Sequence, residues 1–466
     1  MKVINGYPWL TWSLIGLLLL VACGTGSEPA VSRNNSVPEE HAEATVETAT
    51  TASAPEQVEV EEATKSPTVT MTVGEAAKEP TETAEATADE PTEVPEEEQT
   101  VPENPTDGDD RPEQLRRLTA SWHTNWNLHT IDYNEILSGG PPRDGIPSID
   151  NPQFITLDEA RSWLVDNEPV ISIELEGIAR AYPLQILTWH EIVNDQIGGR
   201  PILITFCPLC NSAIVFDSRV KGQTLEFGTS GLLRNSDLIM YDRTTESLWQ
   251  QFTGEAIVGD MVGQQLAFLP SSLVSFADFA AAYPAGKVLS RETGFGENYA
   301  QRYGFNPYAG YDQVGNSPFL YTGELDRRLQ AVERVVTVSF EDIDVAYPLR
   351  ILSQVGVIND SPGGHDFVVF HKEGTSSALN SEVISLGKDV GATGVFDPHV
   401  NEDKLSFAKE GEVIIDEQTG TVWNVLGQAV DGPLIGTQLI PIVHGDHFWF
   451  SWAAFKPDTI IYGLDD

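Results

Sequence analysis

The sequence predicts a β-rich α+β fold, built as a tandem pseudo-symmetric duplication of one unit with short helices and preceded by a disordered tail. Three observations carry that prediction. First, Ala181-Tyr182-Pro183-Leu184-Gln185-Ile186-Leu187 recurs as Ala346-Tyr347-Pro348-Leu349-Arg350-Ile351-Leu352, six of seven residues identical at an offset of 165. Asn194-Asp195 and Gly198-Gly199 return at the same offset as Asn359-Asp360 and Gly363-Gly364. Val215-Phe216-Asp217 returns as Val395-Phe396-Asp397 at 180, and Asp242 and Trp249 return as Asp416 and Trp423 at 174. Second, each copy is a series of short β-rich runs separated by turn residues. Third, residues 24–110 contain no Phe, Tyr or Trp and are dominated by Glu, Thr, Ala and Pro, a composition that cannot bury enough apolar surface to offset chain entropy.

Within each copy the elements follow in order. The alternating runs 170–181 and 335–346 read as a strand. Proline after tyrosine ends it, and residues 184–193 have helical spacing up to the Gly-Gly stop. Residues 201–206, 213–217, 224–227 and 238–242 read as further short strands. Residues 275–283, with Phe276, Phe279 and Ala280 on one face, read as a closing helix. The copies are placed at 115–290 and 331–466, small enough to share one core. Between them, 291–330 is a long aromatic, Gly-rich segment better suited to packing or binding than to a linker.

The N-terminus reads as an address. Lys2 precedes an apolar stretch from Leu10 to Ala22, shorter than the roughly 20 residues that span a bilayer. It ends in Leu20-Val21-Ala22-Cys23, which resembles the lipobox of bacterial lipoproteins. The expectation is a signal peptide over 1–22, a lipidated Cys23, and a disordered tether over 23–114. The protein would then face the extracytoplasmic side with the membrane as a partner through its lipid. The chain has a net charge of −43, of which −20 lies in residues 24–110. So acidic a field excludes nucleic acid and anionic lipid surfaces as partners.

Duplication separates scaffold from specialisation. Residues kept in both copies hold the fold; residues present in one are candidates for chemistry. The first copy alone carries Cys207-Pro208-Leu209-Cys210, which become Lys372 and Thr375 at the cysteine positions of the second. Apart from Cys23 these are the only cysteines. A pair three apart can act as an attacking and a resolving thiol, close a structural disulfide, or grip a metal. The metal reading needs further ligands, with His190 in the same copy, or His365 and His371 in the other, to complete the set. A second one-copy feature is Leu232-Leu233-Arg234-Asn235-Ser236-Asp237, read as a polar loop between strands. In it Arg234 would lower a thiol pKa or fix an anion, and Asp237 would orient a substrate or shuttle a proton. His190 stands on the predicted helix, where a buried hydrogen-bonded role is the plainer reading. His444 and His447 fall in a predicted turn.

The stretch from Ala181-Tyr182-Pro183-Leu184 through Phe206-Cys207-Pro208-Leu209-Cys210-Asn211-Ser212-Ala213 to Gly231–Asp237, Met240-Tyr241-Asp242-Arg243 and Trp249 resembles a bacterial and archaeal family, domain of unknown function 3179. The resemblance extends into 299–311. It implies no established activity. Selenoprotein members imply a redox role, carried over to Cys207 and Cys210 only, and Asn211 stands where glycine is expected. The leading expectation is therefore a surface thiol–disulfide or peroxide-type oxidoreductase acting on a small molecule or protein thiol. In it Cys207 attacks, Cys210 resolves, and Arg234 and Asp237 frame the pocket, with no cofactor assigned. The alternative is a non-enzymatic binding protein with a structural disulfide, or with zinc, copper or iron on Cys207, Cys210 and His190.

Overall fold

The residues that recur between the copies tie each structural element to the next. The computed structural model describes residues 109–464. The signal segment, Cys23 and nearly all of the acidic tether lie outside the described residues. Both copies belong to one compact unit.

The alternating run of the first copy makes two strands rather than one, Pro169–Leu175 and Ile178–Pro183, antiparallel across Glu176-Gly177. Both turn residues have positive φ, 54° and 80°, the geometry whose twist matches flanking strands. The turn shifts the alternation by one residue, since Leu175 pairs with Ile178, but consecutive residues from Val170 to Ile173 are all buried, so both faces are covered and periodicity alone does not reveal it. The second copy repeats the hairpin as Arg334–Ser339 and Asp344–Pro348. Pro183 and Pro348 then stand at the N-caps of the helices Leu184–His190 and Leu349–Val355, where a fixed φ and a missing N–H cost nothing. These helices stop short of the expected 193. The chain turns at Glu191 in one copy and Gly356 in the other, both with positive φ, and Val193 lies in the next strand, Ile192–Ile197.

The shared polar residues make the same bonds twice. Tyr182 donates to Asp195 at 2.5 Å and Tyr347 to Asp360 at 2.7 Å. The Asn194 amide pairs with both the carbonyl and the N–H of Phe227, and Asn359 does the same with Phe407. Trp249 Nε1 donates to Asp242 at 3.0 Å and Trp423 to Asp416 at 3.1 Å. Scaffold is what duplication preserved.

The closing helix of the first copy, Phe276–Ala282, is capped by the Ser275 hydroxyl, which accepts from Asp278 N at 3.0 Å. It follows strand Ser272–Ser275, which pairs with Pro169–Leu175. In the second copy the equivalent helix, Trp449–Phe455, follows strand His444–Phe448, which pairs with Arg334–Ser339. His444 and His447 thus lie on the edge strand of a four-stranded sheet, not in the turn expected there. The copies share their core. One buried cluster joins Tyr182, Phe206 and Trp249 to Leu379, Phe448 and Phe450, and another joins Phe276 and Phe279 to Phe370 and Phe396. No helix among the described residues is long and apolar enough to cross a membrane.

Candidate functional site

The cysteines sit on a knuckle between two strands. Arg200–Cys207 and Ser212–Asp217 are antiparallel, with Cys207 opposite Ser212. Between them Cys210 N donates to Cys207 O at 3.2 Å and Asn211 N to Pro208 O at 3.3 Å. Asn211 takes φ 51°, a left-handed position that asparagine accepts where glycine is the usual choice. A strand follows Cys210, so the helix N-terminus that lowers thiol pKa in redox motifs does not stand behind either sulfur. The second copy clamps the knuckle. Phe448 N and Ser451 Oγ both donate to Cys210 O, at 2.9 and 3.3 Å, and Asn211 Nδ2 donates to Asp446 O at 3.2 Å.

The six residues found only in the first copy lengthen a hairpin rather than form a loop. Its strands are Phe227–Arg234 and Asp237–Asp242, against Phe407–Glu410 and Val413–Asp416 in the sister copy. Asn235 and Ser236, with φ 53° and 67°, make the turn. A bulge between Thr229 and Leu232 bends the longer arm. The extension carries the hairpin tip onto the knuckle, where Ser236 O lies 3.6 Å from Cys210 Sγ and 3.9 Å from Cys207 Sγ. The Asp237 carboxylate follows. One of its oxygens and the two sulfurs all lie within 4.8 Å of one another, and all three residues are buried. Asp237 Oδ2 accepts from Gln250 Nε2 at 2.6 Å and Phe252 N at 2.9 Å, while Oδ1 has no hydrogen-bond partner.

Two expected site residues stand elsewhere. Arg234 does not frame the thiols. Its Nε donates to Glu135 at 2.6 Å, a partner 99 positions away, and its Nη1 reaches Gln250 Oε1 at 3.5 Å. It therefore steadies the amide that holds Asp237. His190 is not a ligand alongside the cysteines. Its Nδ1 bonds Pro147 O and its Nε2 the Tyr303 hydroxyl, each at 2.7 Å, and burial pulls its pKa down to about 4. His365 is on the surface against Asp342, and His371 lines a separate cavity with Arg334 and Asp389. Among the described residues, the group whose potential ligand atoms gather with the two sulfurs is completed by Asp237 and not by any of those histidines.

Glu191 was missed. It caps the helix Leu184–His190 with φ 59°, a conformation that is costly for a residue bearing a Cβ, and its counterpart is Gly356. An offset of 165 was enough to find it, because a one-copy carboxylate in place of glycine is the same signal that singled out the cysteines. Burial, then the charge of Asp237, pushes Glu191 up to about 8. Asp237 is pushed up to about 7, chiefly by burial and against its hydrogen bonds. Burial is likewise the main cause that raises the Cys207 thiol, and it raises Cys210 well above the ordinary thiol range. The contrast with Asp312 is instructive. That equally buried carboxyl is held low by Arg334, Lys388 and its hydrogen bonds. Among the described residues no Lys, Arg or His pairs with Asp237.

Beside the knuckle lies a cavity of about 500 Å³, lined by Glu191, Leu209, Leu232, Tyr308, Tyr311 and Phe319 among others. Its outer wall comes from the aromatic segment 291–330, whose Phe319 O accepts from Ser236 Oγ. That segment packs and encloses, as its composition suggested. The protein-family model described as protein of unknown function, DUF3179, matches residues 143–459. The chain belongs to that family. The match takes in both copies, the knuckle, the hairpin tip and the enclosing segment, so the DUF3179 unit is the duplicated whole rather than one copy. No curated protein and no solved structure matches the chain.

Proposed function

We propose that this DUF3179 protein is an extracytoplasmic, lipid-anchored protein whose first copy holds a divalent transition metal, zinc foremost, on Cys207, Cys210 and Asp237. The observation that carries this reading is the convergence of two buried sulfurs and a buried Asp237 carboxylate oxygen, with no Lys, Arg or His pairing with them among the described residues. Buried acids without a counter-charge are expensive, and a bound cation supplies the charge that Asp312 receives from Arg334 and Lys388. Two thiolates and one carboxylate suit zinc or ferrous iron better than magnesium or calcium, and a cysteine knuckle on a β-hairpin is a familiar metal grip. A metal held by Cys207, Cys210 and Asp237 would supply Lewis acidity to a water or substrate oxygen there. The chain's own part is then definite. Gln250 and the Phe252 amide orient Asp237. Glu191, buried and not a member of the ligand set, holds or passes a proton at its carboxylate. Leu209, Tyr308 and Tyr311 exclude bulk water from the cavity. Zinc deaminases use a comparable set, two cysteines, one further ligand and a non-ligand glutamate. The reaction class favoured is hydrolysis of a small molecule held in the cavity.

Metal analysis of the purified chain tests the proposal. One zinc or iron per chain is expected, lost in both Cys210→Ser and Asp237→Asn and kept in His190→Gln. A metal-free wild type, or metal kept in both site variants, sinks it.

A thiol–disulfide oxidoreductase is the second reading, supported by two unbridged thiols close enough to interact. The raised thiol pKa values and near-complete burial weigh against an attacking role for Cys207. Rapid reaction of Cys207 with a small disulfide in the folded, metal-free protein would restore it. The anchor is tested separately, since Cys23→Ser is expected to release the chain from the membrane fraction.

A further inference from the structure

A second cavity, of about 530 Å³, lies where the two copies meet. The first copy contributes Ile214, Phe252 and Phe268, and the second contributes His444, His447 and Trp452. The volume is within the roughly 300–1,000 Å³ of small-molecule sites. The duplication again marks what is special. By strand register Gly445 and His447 stand where the first copy has Ser272 and Val274, so the scaffold does not need them.

The polar groups have the form of a built site. His447 is 3% exposed, yet its Nδ1 has no hydrogen-bond partner, and neither has Nε2 of His444, whose Nδ1 bonds Ile442 O. The His447 ring packs against Phe252, at 4.6 Å, and Trp452, at 5.7 Å, and those two rings are themselves 5.9 Å apart, so the three form a closed aromatic cluster. A Cβ at residue 445 would come within 2.2 Å of His447 Nε2, so glycine there makes room for the imidazole. Burial pulls His447 down to about 3 and also lowers His444. Both rings are therefore neutral and offer hydrogen bonds rather than charge. The one cation at the rim, Lys456, is already held by Asp344 at 3.1 Å and the Ser339 hydroxyl at 3.2 Å.

We infer that this cavity is a second binding site, for an uncharged planar aromatic compound carrying a hydroxyl or carbonyl group. Phe252, Phe268 and Trp452 present ring faces and edges to a flat molecule. The unpartnered imidazole nitrogens take its polar group, and nothing in the cavity offsets the desolvation of a charge. Phe252 joins this site to the first, because its ring walls this cavity while its amide holds Asp237.

Calorimetric titration of the full chain with 2-naphthol is expected to give saturable one-to-one binding. His447→Phe keeps a ring against Phe252 and Trp452 but removes the nitrogens, and weakens binding about tenfold. Val443→Trp, at the rim, abolishes it. Naphthalene-2-sulfonate, the same ring with a charge, binds at least about tenfold more weakly than 2-naphthol. Cys210→Ser binds 2-naphthol as the wild type does, so failure of the metal site and failure of this one are separable. The inference is overturned by no saturable binding to the wild type, by equal binding in both cavity variants, or by stoichiometric zinc that His447→Phe removes.

Discussion

Replacing Glu191 is expected to make the metal-free protein more stable, which is the mark of a residue kept for chemistry. Two costs meet at this position. The backbone sits at φ 59°, a left-handed conformation that costs an L-residue roughly 1–2 kcal/mol. The carboxyl is 8% exposed and pushed up to about 8 from an ordinary 4.5. The unfolded chain therefore releases this proton near pH 4.5, while the folded chain keeps it until about pH 8. Stability accordingly falls as pH rises through that window and is unpenalised below it. At about 1.4 kcal/mol per pH unit, the penalty at pH 7 reaches at most about 3 kcal/mol. Glu191→Gln removes the charge and keeps the strain, so a gain of about 2–3 kcal/mol is expected at pH 7 and almost none at pH 4.5. Glu191→Gly also relieves the backbone, offset by about 0.5–1 kcal/mol of unfolded-chain entropy, and should equal or slightly exceed the glutamine variant. Urea denaturation of chelator-treated protein at the two pH values measures both. A loss of stability at pH 7, or the same gain at both pH values, would refute the reasoning and make Glu191 a structural residue.

Three further outcomes follow from the same geometry. His190 is neutral in the fold with a pKa near 4 against an ordinary 6.5, so the unfolded state takes up a proton first on acidification. Stability should fall by up to about 3 kcal/mol between pH 6.5 and 4, and urea curves for His190→Gln should be flatter across that window even though the variant starts less stable. Asn194→Ala leaves the buried N–H and carbonyl of Phe227 unpaired and should cost about 2–4 kcal/mol, whereas Asn359 is exposed and water can replace its amide at Phe407, so Asn359→Ala should cost about 1 kcal/mol; equal losses in urea denaturation would contradict this. Arg234→Ala should weaken metal retention by about tenfold, as loss of a supporting outer residue does, while Asp237→Asn abolishes it. Competition with a zinc chelator distinguishes the two.

Legibility in the sequence divided along the range of the interactions. The helix Leu184–His190 and its sister, the closing helix Phe276–Ala282, and the strands around residues 200–217 were readable because apolar spacing and turn residues act locally. The hairpin turn at Glu176-Gly177 was not, since both faces of its first strand are buried and the one-residue shift of the alternation across the turn is masked. The strand His444–Phe448 was hidden by Gly445, read as a turn signal although its role is to admit the His447 ring. At the site, Cys207, Cys210 and Asp237 were each named from one-copy logic, His190 has the buried, hydrogen-bonded role that was its plainer reading rather than the alternative one of a ligand, and Arg234 was given a role that its partners preclude. Glu135, Pro147 and Tyr303 come from far along the chain, and no spacing rule links them to Arg234 or His190.

The sequence by itself determined that this protein is a duplication, which residues hold its scaffold, and that only the first copy carries a cysteine pair and six extra residues between two of its strands. Those are properties of repetition and local pattern, and they do not depend on where distant segments meet. The tertiary structure decided that those residues lengthen a hairpin and bring Asp237 to the sulfurs, that Glu191 lines the cavity beside the knuckle, and that the second copy braces the knuckle through Phe448 and Ser451. Each depends on strand register and on contacts across hundreds of residues, where a shift of one residue would turn Asp237 to the opposite face of its sheet.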